Sequence, residues 1–353
     1  MTNFILCKPF NQRKNHTLLI LFILIILFNA SGSFAKKLSM EEAEHAGDSI
    51  IPEAILPFWQ SLTLKEKVAQ TLMVYMPSAS YIKKHQFGGV LIMKPHLKDT
   101  LHLKEKLNLA NESLKIPLLT AIDQEGGKVN RLQAISPEWK NLPSAKEMRI
   151  MADDSVYNLA KLIGNALHHY GINLNLAPVL DPPKDSKGKP SFIEVSNRSF
   201  GEFETAVPKI RAFVQGMKES KVLSTSKHFP GYDSWTNSDH QIAFSTSSKD
   251  VILKNVELFK EFADEIPVIM LSSVRFVRLS NTPAVFNPKI TAMAREISPY
   301  TVLLTDDLWG VSLRAWISGT DKVKGKNYPS KDFKKLIRTV LLAGNDMFMI
   351  TYP

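Results

Sequence analysis

Eight short apolar runs, separated by segments of helical period, constrain the fold of this chain most strongly. Their nearly continuous apolar character is typical of strands buried on both faces of a parallel sheet. Eight such strands alternating with helices predict an α/β fold, a single-domain (β/α)8 barrel of the TIM type. A doubly wound open sheet is the alternative. The runs cover residues 69–76, 88–93, 117–123, 172–181, 222–229, 266–273, 301–307 and 346–351.

Helix signals lie between these runs. Residues 154–171 and 205–220 carry apolar side chains at helical spacing, and the first of these segments ends in glycine, as helices often do. Thr63 and Glu66 have the spacing of a capping box, in which each side chain bonds the backbone of the other residue. Runs and helical segments therefore alternate as a barrel requires.

The C-terminal end of the sequence raises a question about the last helix. Pro353 comes directly after the eighth apolar run, and no segment of helical period follows that run. We expect one of two arrangements. Either residues 40–60 cover the face that an eighth helix would occupy, or the barrel lacks its last helix.

The N-terminal residues differ in composition from the rest of the chain. Three basic residues precede the apolar run 18–28, and small residues with the spacing of a cleavage site follow it. We predict a signal peptide at residues 1–35, an N-terminal extension at 36–60 and the barrel domain at 61–353. The protein is then exported, periplasmic or secreted, with no stable membrane insertion once the signal is cleaved. An uncleaved anchor is the alternative, although the run is short for a membrane span.

Composition excludes several classes of protein. The chain has 353 residues, of which 44% are hydrophobic and 22% charged, so it is globular and not disordered. Its formal charge of +10 would fall to +7 without residues 1–35, which suits anionic surroundings such as cell-wall polymers. No basic block or aromatic-basic stripe predicts nucleic-acid binding. The only cysteine, Cys7, lies in the predicted signal, so the exported chain would have no disulfide and no thiol ligand.

Titratable residues collect at the ends of several apolar runs. A barrel builds its active site from the loops at the carboxyl ends of its strands, so these side chains are expected to share one rim. Each alone could cap a helix or form a surface ion pair. Together they favour a polar substrate and acid/base chemistry. They are Asp123 and Arg131 after the third run, Arg198 after the fourth, Lys227 and His228 at the fifth, and Asp306 at the seventh.

The segment that follows the fifth run has the composition of a loop. It reads KHFPGYDSWTNSDHQ over residues 227–241, and its mixture of histidine, aspartate, glycine and asparagine suits neither a packed helix nor a regular strand. Asp233, Asp239 and His240 lie in it. A lone histidine here could be a solvated loop residue, whereas a histidine beside the rim could transfer a proton.

Seven motifs of the chain resemble one family, and their order and spacing agree with it. The family is the β-N-acetylglucosaminidases of glycoside hydrolase family 3, the bacterial single-domain kind associated with peptidoglycan turnover. The resemblance covers most of residues 61–353 and implies the same barrel fold. The motifs are SLTLKEKVAQTLMV, AIDQEGGKVNRL, NLNLAPVLDPP, NRSFG, KHFPG, LLTDDLWG and LLAGNDMFMI.

This resemblance implies a role for each candidate residue. Asp306 would be the nucleophile that forms a glycosyl-enzyme intermediate, and a histidine of the loop after the fifth strand, here His240, would be the general acid and base. The partner would be an N-acetylglucosamine-containing glycan or muropeptide. The residues that would hold the hydroxyl groups and the N-acetyl group of the sugar are Asp123, Arg131, Arg198, Lys227 and His228.

The chain departs from the family at three places. The family reads Asp-Ser-His in the loop, whereas here Asp239 directly precedes His240. Neighbouring side chains of an extended segment point to opposite sides, although a turn could bring Asp239 round, and Asp233 is the other possible partner. Tyr232 stands where the family commonly has a histidine, and serines occupy positions 272–273, where a histidine is usual.

Three functions are consistent with these residues. The first is a retaining exo-β-N-acetylglucosaminidase. The second is a barrel that binds glycans or a cell-wall partner with little turnover, because the acid has lost its family arrangement. The third is a β-glycosidase or phosphorylase of the same fold with another substrate. No metal is expected, since the His, Asp and Glu spacings contain no recognisable ligand set, and no phosphate-loop motif predicts a nucleotide cofactor.

Overall fold

Each of the eight apolar runs contains a barrel strand in the computed structural model, which describes residues 55–319 and 330–351. The strands are β1 Leu72–Tyr75, β2 Gly89–Ile92, β3 Leu119–Ile122, β4 Leu174–Asn175, β5 Leu223–Phe229, β6 Phe244–Ser245, β7 Val268–Leu271, β8 Arg275–Phe276, β9 Val302–Thr305 and β10 Phe348–Ile350. The eight barrel strands run parallel, and their order around the sheet is β10-β1-β2-β3-β4-β5-β7-β9. The remaining two, β6 and β8, form a separate small parallel sheet.

The two ends of the eight-stranded sheet meet. Strand β1 pairs with both β2 and β10, with Leu72 opposite Phe348. At the other side of β10, Thr305 N donates a hydrogen bond of 2.9 Å to Met347 O, and Leu304 and Met347 form a parallel bridge. The prediction of a (β/α)8 barrel is therefore confirmed, and the open sheet is excluded.

Helices surround the strands where the sequence predicts them. The helices are α1 Leu56–Gln60, α2 Leu64–Gln70, α3 Ala79–His85, α4 Thr100–Glu112, α5 Ala145–Met148, α6 Asp153–His169, α7 Phe192–Val195, α8 Phe203–Glu219, α9 Lys249–Glu261, α10 Pro288–Ile297, α11 Val311–Ser318 and α12 Ser330–Leu342. The predicted segment 154–171 contains all of α6 but its first residue, and the predicted segment 205–220 contains most of α8. The capping box at the start of α2 is present, since Glu66 accepts from Thr63 N at 2.8 Å.

Helix α1 packs into the interior of the barrel and not onto its outer surface. Trp59 and Ile55 are buried against inward-facing side chains near the amino-terminal ends of the strands, such as Leu119 and Val302. Lys67 Nζ lies 4.1 Å from the centre of the Trp59 ring. The described part of the segment 36–60 therefore closes the end of the barrel opposite the loops that carry the titratable residues.

The outer surface of β1 and β10 borders an apolar groove of about 860 Å³ between α3 and α12. Its lining contains no charged side chain, and Phe333 and Ile337 form one wall. Residues 55–60 do not line it. Residues 40–54 lie outside the described ranges, so the choice between the two expected arrangements stays a prediction.

Several predictions concern residues outside the described ranges. The signal peptide at 1–35 with Cys7, and most of the extension at 36–60, belong to this group. Among residues 55–319 and 330–351, no helix combines the length and the apolar character needed to cross a membrane.

Candidate active site

A polar cavity of about 190 Å³ lies at the carboxyl ends of the barrel strands. It is smaller than the roughly 300–1,000 Å³ of pockets for drug-sized ligands, so it suits one small polar group such as a single ring. The apolar groove on the outside of the barrel is larger, but it offers no charged side chain for chemistry. Seven of the eight predicted site residues line the polar cavity: Asp123, Arg131, Arg198, Lys227, His228, Asp239 and Asp306.

Asp306 directly follows β9, and hydrogen-bond donors hold both oxygens of its carboxylate. Ser273 Oγ donates to Oδ2 at 2.8 Å, and Asp307 N donates to Oδ1 at 2.8 Å. Ser273 follows β7 and occupies one of the two positions where the family resemblance leads one to expect a histidine. A small hydroxyl donor thus orients the carboxylate at this position.

Asp307 is also held, by the end of the last strand. Thr351 Oγ1 donates to its Oδ2 at 2.5 Å, and Trp309 N donates to its Oδ1 at 3.1 Å. Burial raises the pKa of Asp307 to about 6, and the neighbouring charge of Asp306 acts in the same direction. The side chain therefore joins the loop after β9 to β10, and its carboxyl group titrates at a higher pH than an ordinary aspartate does.

A buried set of opposite charges forms one wall of the site. Lys227 Nζ lies 2.6 Å from Asp123 Oδ1 and 2.6 Å from Glu125 Oε1. Arg198 binds Glu125 with two hydrogen bonds of 2.8 and 2.7 Å. Burial alone would raise the pKa of Glu125, but the charges of Arg198 and Lys227 outweigh it and hold that pKa well below its usual range. These charges are fixed before any ligand arrives.

Asp123 and Arg131 form the more open part of this wall. Arg131 Nη2 lies 3.2 Å from Asp123 Oδ2, and the Asp123 side chain is 24% exposed. Asp123 therefore keeps a face toward the cavity, while Lys227, 3% exposed, is enclosed behind it. A ligand in the cavity would meet carboxylate acceptors and guanidinium donors side by side.

His228 is fixed by a buried carboxylate. Its Nδ1 lies 2.6 Å from Asp181 Oδ2, and its backbone N donates to Asp181 Oδ1 at 2.8 Å. Because a carboxylate can only accept, the imidazole proton sits on Nδ1, and the Nε2 side of the ring is left for the cavity. Asp181 also accepts from Tyr232 N at 2.7 Å, so one acid organises both residues.

Tyr232 organises the loop that follows β5. Its hydroxyl donates to Thr236 O at 2.5 Å and accepts from Ser238 N at 2.8 Å. Burial raises the pKa of Tyr232 well above its usual range, so the hydroxyl keeps its proton and both bonds. Tyr232 stands where the family commonly has a histidine, and its hydroxyl fixes the backbone of Thr236 and Ser238 later in the same loop.

The loop places the predicted acid, His240, and its two possible partner carboxylates in different surroundings. Asp239 lines the cavity with Asn237. His240 is exposed and is not among the lining residues, so its role as general acid stays a prediction. Asp233 is buried, bonds Ser247 Oγ and does not line the cavity.

The sequence reasoning missed Asp307, which lines the cavity, and two charged residues that hold lining side chains. Glu125 bonds both buried cations, and Asp181 holds His228. Both had a signal, because Glu125 lies two residues after Asp123 at a strand end and Asp181 closes the fourth apolar run. Within the described ranges, no group of three or more His, Cys, Asp or Glu side chains could hold a metal ion.

Comparison with known families identifies the barrel. Residues 63–310 match the model of the glycosyl hydrolase family 3 N terminal domain, which is more than half of the chain. The chain belongs to this family. The match includes Asp306 and most of the cavity lining, and it confirms the family that the seven motifs predict.

The alignments with named relatives of this family cover only part of each relative's length. A beta-hexosaminidase of Pseudomonas aeruginosa is 28% identical over 238 residues, which are 64% of this chain and 68% of that protein. A beta-hexosaminidase of Glaesserella parasuis is 27% identical over 203 residues, 56% of this chain and 57% of that protein. This chain thus spans little more than half of the second relative.

Solved structures agree with the family 3 barrel. A glycoside hydrolase family 3 beta-N-acetylglucosaminidase from Paenibacillus superposes with a TM-score of 0.68 at 25% identity, covering 83% of this chain and 56% of that one. A beta-N-acetylhexosaminidase from Beutenbergia cavernae gives 0.67 at 24% identity, with 82% and 88% covered. The second likeness concerns the fold alone.

Proposed function

We propose that this protein is a retaining exo-β-N-acetylglucosaminidase that releases terminal N-acetylglucosamine from glycans of the cell-wall type. The observation that carries the proposal is the Asp306 carboxylate, which lies at a strand end in a small polar cavity with both oxygens held by donors. The family 3 match and the names of the relatives support the class of sugar.

The reaction proceeds in two displacements at one carbon. A carboxylate oxygen of Asp306 forms a bond to the anomeric carbon while the bond to the glycosidic oxygen breaks, and that oxygen takes a proton from a general acid. Water then attacks the same carbon, gives up a proton, and the ester bond to Asp306 breaks. Two inversions leave the anomeric configuration of the product unchanged.

The charged wall positions the sugar for this attack. Arg131 and Arg198 donate to hydroxyl and N-acetyl oxygens, and Asp123 accepts from hydroxyl groups. These side chains already bind one another or Glu125, so little ordering remains to be done when the sugar enters. A cavity of about 190 Å³ accepts one ring and favours attack at a chain end.

Export fits the same substrate. The basic N-terminal residues followed by an apolar run at 18–28 support secretion, and a formal charge of +10 suits an anionic cell wall. The partner is then a glycan or muropeptide outside the cytoplasm.

The test is hydrolysis of 4-nitrophenyl N-acetyl-β-D-glucosaminide by the purified chain, with the matching 4-nitrophenyl glucoside for comparison. We expect release from the N-acetyl substrate, and a fall in kcat of at least about 10³-fold in Asp306→Asn, which keeps the shape but not the nucleophile. NMR of the first product should show the β-anomer.

Other outcomes assign other functions. A folded chain that binds N-acetylglucosamine but releases no nitrophenol would contradict the hydrolase and support a glycan-binding barrel. Turnover that requires phosphate and yields the sugar phosphate would identify a phosphorylase. Equal rates for the two nitrophenyl substrates would contradict the N-acetyl preference.

A further inference from the structure

We propose that the carboxyl group of Asp239 is the general acid and base of this site, the role that the family resemblance implies for His240. This inference rests on the proposed function, because it names the proton donor that glycoside hydrolysis requires. Both Asp239 and His240 are exposed to solvent, but only Asp239 lines the cavity that contains Asp306.

A turn places these two adjacent side chains on different sides. Asn237 O accepts from His240 N at 3.2 Å and from Gln241 N at 2.9 Å, and Asn237 Oδ1 accepts from Asp239 N at 2.9 Å. The side chain and the carbonyl of Asn237 thus fix the backbone on both sides of Asp239. Because the turn is tight, the carboxyl group can line the cavity while the imidazole remains at the surface.

The same turn is attached to the element that follows the nucleophile. Val311 N donates to Asp239 O at 3.3 Å, and Ser312 N donates to Ser238 O at 3.0 Å. These N–H groups belong to the first turn of α11, where no intrahelical acceptor is available. A Cβ added to Gly310 would lie 3.7 Å from Asp239 Oδ1. The carboxyl group therefore lies beside the segment 306–310, which begins with Asp306.

The charges around Asp239 suit a proton donor. The residue is exposed at the rim, but dense protein on its other sides removes hydration, and this burial, followed by the negative charge of Asp306, raises its pKa. The positive charges of Arg198, His228 and His240 lower the pKa of Asp239, but their effect is smaller than that of the desolvation and of Asp306. An acid must keep its proton while the nucleophile is ionised, and two unlike carboxyl groups provide this in most retaining glycosidases.

The proton then moves as follows. The Asp239 O–H gives its proton to the glycosidic oxygen as the bond between that oxygen and the anomeric carbon breaks and the bond to Asp306 forms. The ionised Asp239 next takes a proton from water as the water oxygen bonds the anomeric carbon and the ester bond to Asp306 breaks. Both carboxyl groups return to their initial states.

The experiment compares Asp239→Asn with His240→Gln on two substrates that differ in leaving group. One is N,N′-diacetylchitobiose, whose leaving oxygen needs a proton, and the other is the 2,4-dinitrophenyl N-acetylglucosaminide, whose leaving group needs none. Asp250→Asn, at an exposed carboxylate of α9 that does not line the cavity, is the matched control. Sodium azide is added as a nucleophile that needs no base.

We expect Asp239→Asn to lower kcat/KM for the disaccharide by about 10²–10⁴-fold and to affect the activated substrate far less. With the 2,4-dinitrophenyl substrate, azide should raise kcat of this variant and yield the β-glycosyl azide. A purely structural role of Asp239 would not produce this outcome. The alkaline limb of the pH profile of kcat/KM should disappear in Asp239→Asn and persist in His240→Gln.

The contrary results are distinct. Leaving-group dependence and azide product in His240→Gln, with neither in Asp239→Asn, would overturn the proposal and return the role to the histidine. If Asp239→Asn were as active as wild type and Asp306→Asn were inactive, the general acid role of Asp239 would be refuted and the proposed hydrolase function would stand. Absence of hydrolysis by the wild-type chain would refute the proposed function and this role together.

Discussion

Asp307 lowers the free energy of unfolding of this chain at neutral pH, because burial raises the pKa of its carboxyl group. Its pKa of about 6 in the folded chain lies above the value of about 3.9 for an unfolded aspartate, so folding favours the protonated form. The corresponding stability is fully present below about pH 4 and is lost as the pH rises through 6. At neutral pH Asp307 is mostly ionised, and its ionised form stabilises the folded state less than its protonated form would.

Replacing Asp307 by asparagine should remove this cost. Asparagine keeps an acceptor for Trp309 N and can donate to Thr351 Oγ1. We expect the free energy of unfolding of Asp307→Asn, relative to wild type, to increase between pH 4 and pH 7 by up to about 3 kcal/mol, less where the solvent at the cavity screens the charge. Urea unfolding at both pH values measures it. A difference that does not change with pH would contradict the explanation.

The sequence predicts seven of the residues that line the cavity but not their partners. Asp123, Lys227 and Asp306 could be found because each lies at the end of an apolar run. Their pairing could not, since Lys227 contacts an aspartate 104 positions away and the contact depends on the closed barrel. Glu125 was missed for the same reason: its importance comes from two cations that only the fold brings to it.

At the scale of elements, the loop after β5 is supported at several points. Near the start of the loop, Tyr232 N donates to Asp181. The middle of the loop bonds α11, and its C-terminal part continues into the small sheet of β6 and β8. In that sheet Arg275 N donates to Ala243 O at 3.0 Å. A segment with the composition of a free loop is therefore fixed between two barrel strands.

The Tyr232 hydroxyl is the part of this support that a mutation can remove most cleanly. Tyr232→Phe keeps the buried ring but loses the bonds to Thr236 O and Ser238 N, each worth about 1 kcal/mol. We expect kcat/KM for the disaccharide to fall about 5–30-fold, mainly through kcat, because Asp239 is no longer held at the cavity. Tyr300→Phe, at a ring that is 65% exposed, is the control. Wild-type kinetics in Tyr232→Phe would show that the loop is fixed without the hydroxyl.

Elements were predictable in proportion to their length and pattern. The barrel strands and the long helices α6 and α8 have continuous apolar runs or a clear helical period. Strands β6 and β8 have two residues each and no period, so nothing local marks them. Their pairing is decided by the loops that the barrel brings together.

Over the whole molecule, stability and chemistry lie at opposite ends of the barrel. Helix α1 closes the amino-terminal end, where Trp59 is 8% exposed. We expect Trp59→Ala to lower the free energy of unfolding by about 3–5 kcal/mol, the usual cost of a large cavity, with KM unchanged. Leu101→Ala, at a residue 71% exposed, should have little effect. Urea unfolding and kinetics of the folded variant measure both, and an altered KM would contradict the separation.

The uneven cover of the barrel has a consequence for its motion. Strands β2, β3, β7 and β9 are buried at every position, whereas β1 and β10 have partly exposed residues such as Val74 and Ile350 beside the apolar groove. Local opening begins where few apolar contacts cover the backbone bonds. Thr351 directly follows β10 and its hydroxyl donates to Asp307, so we expect local opening of β1 and β10 to disturb the residue next to Asp306.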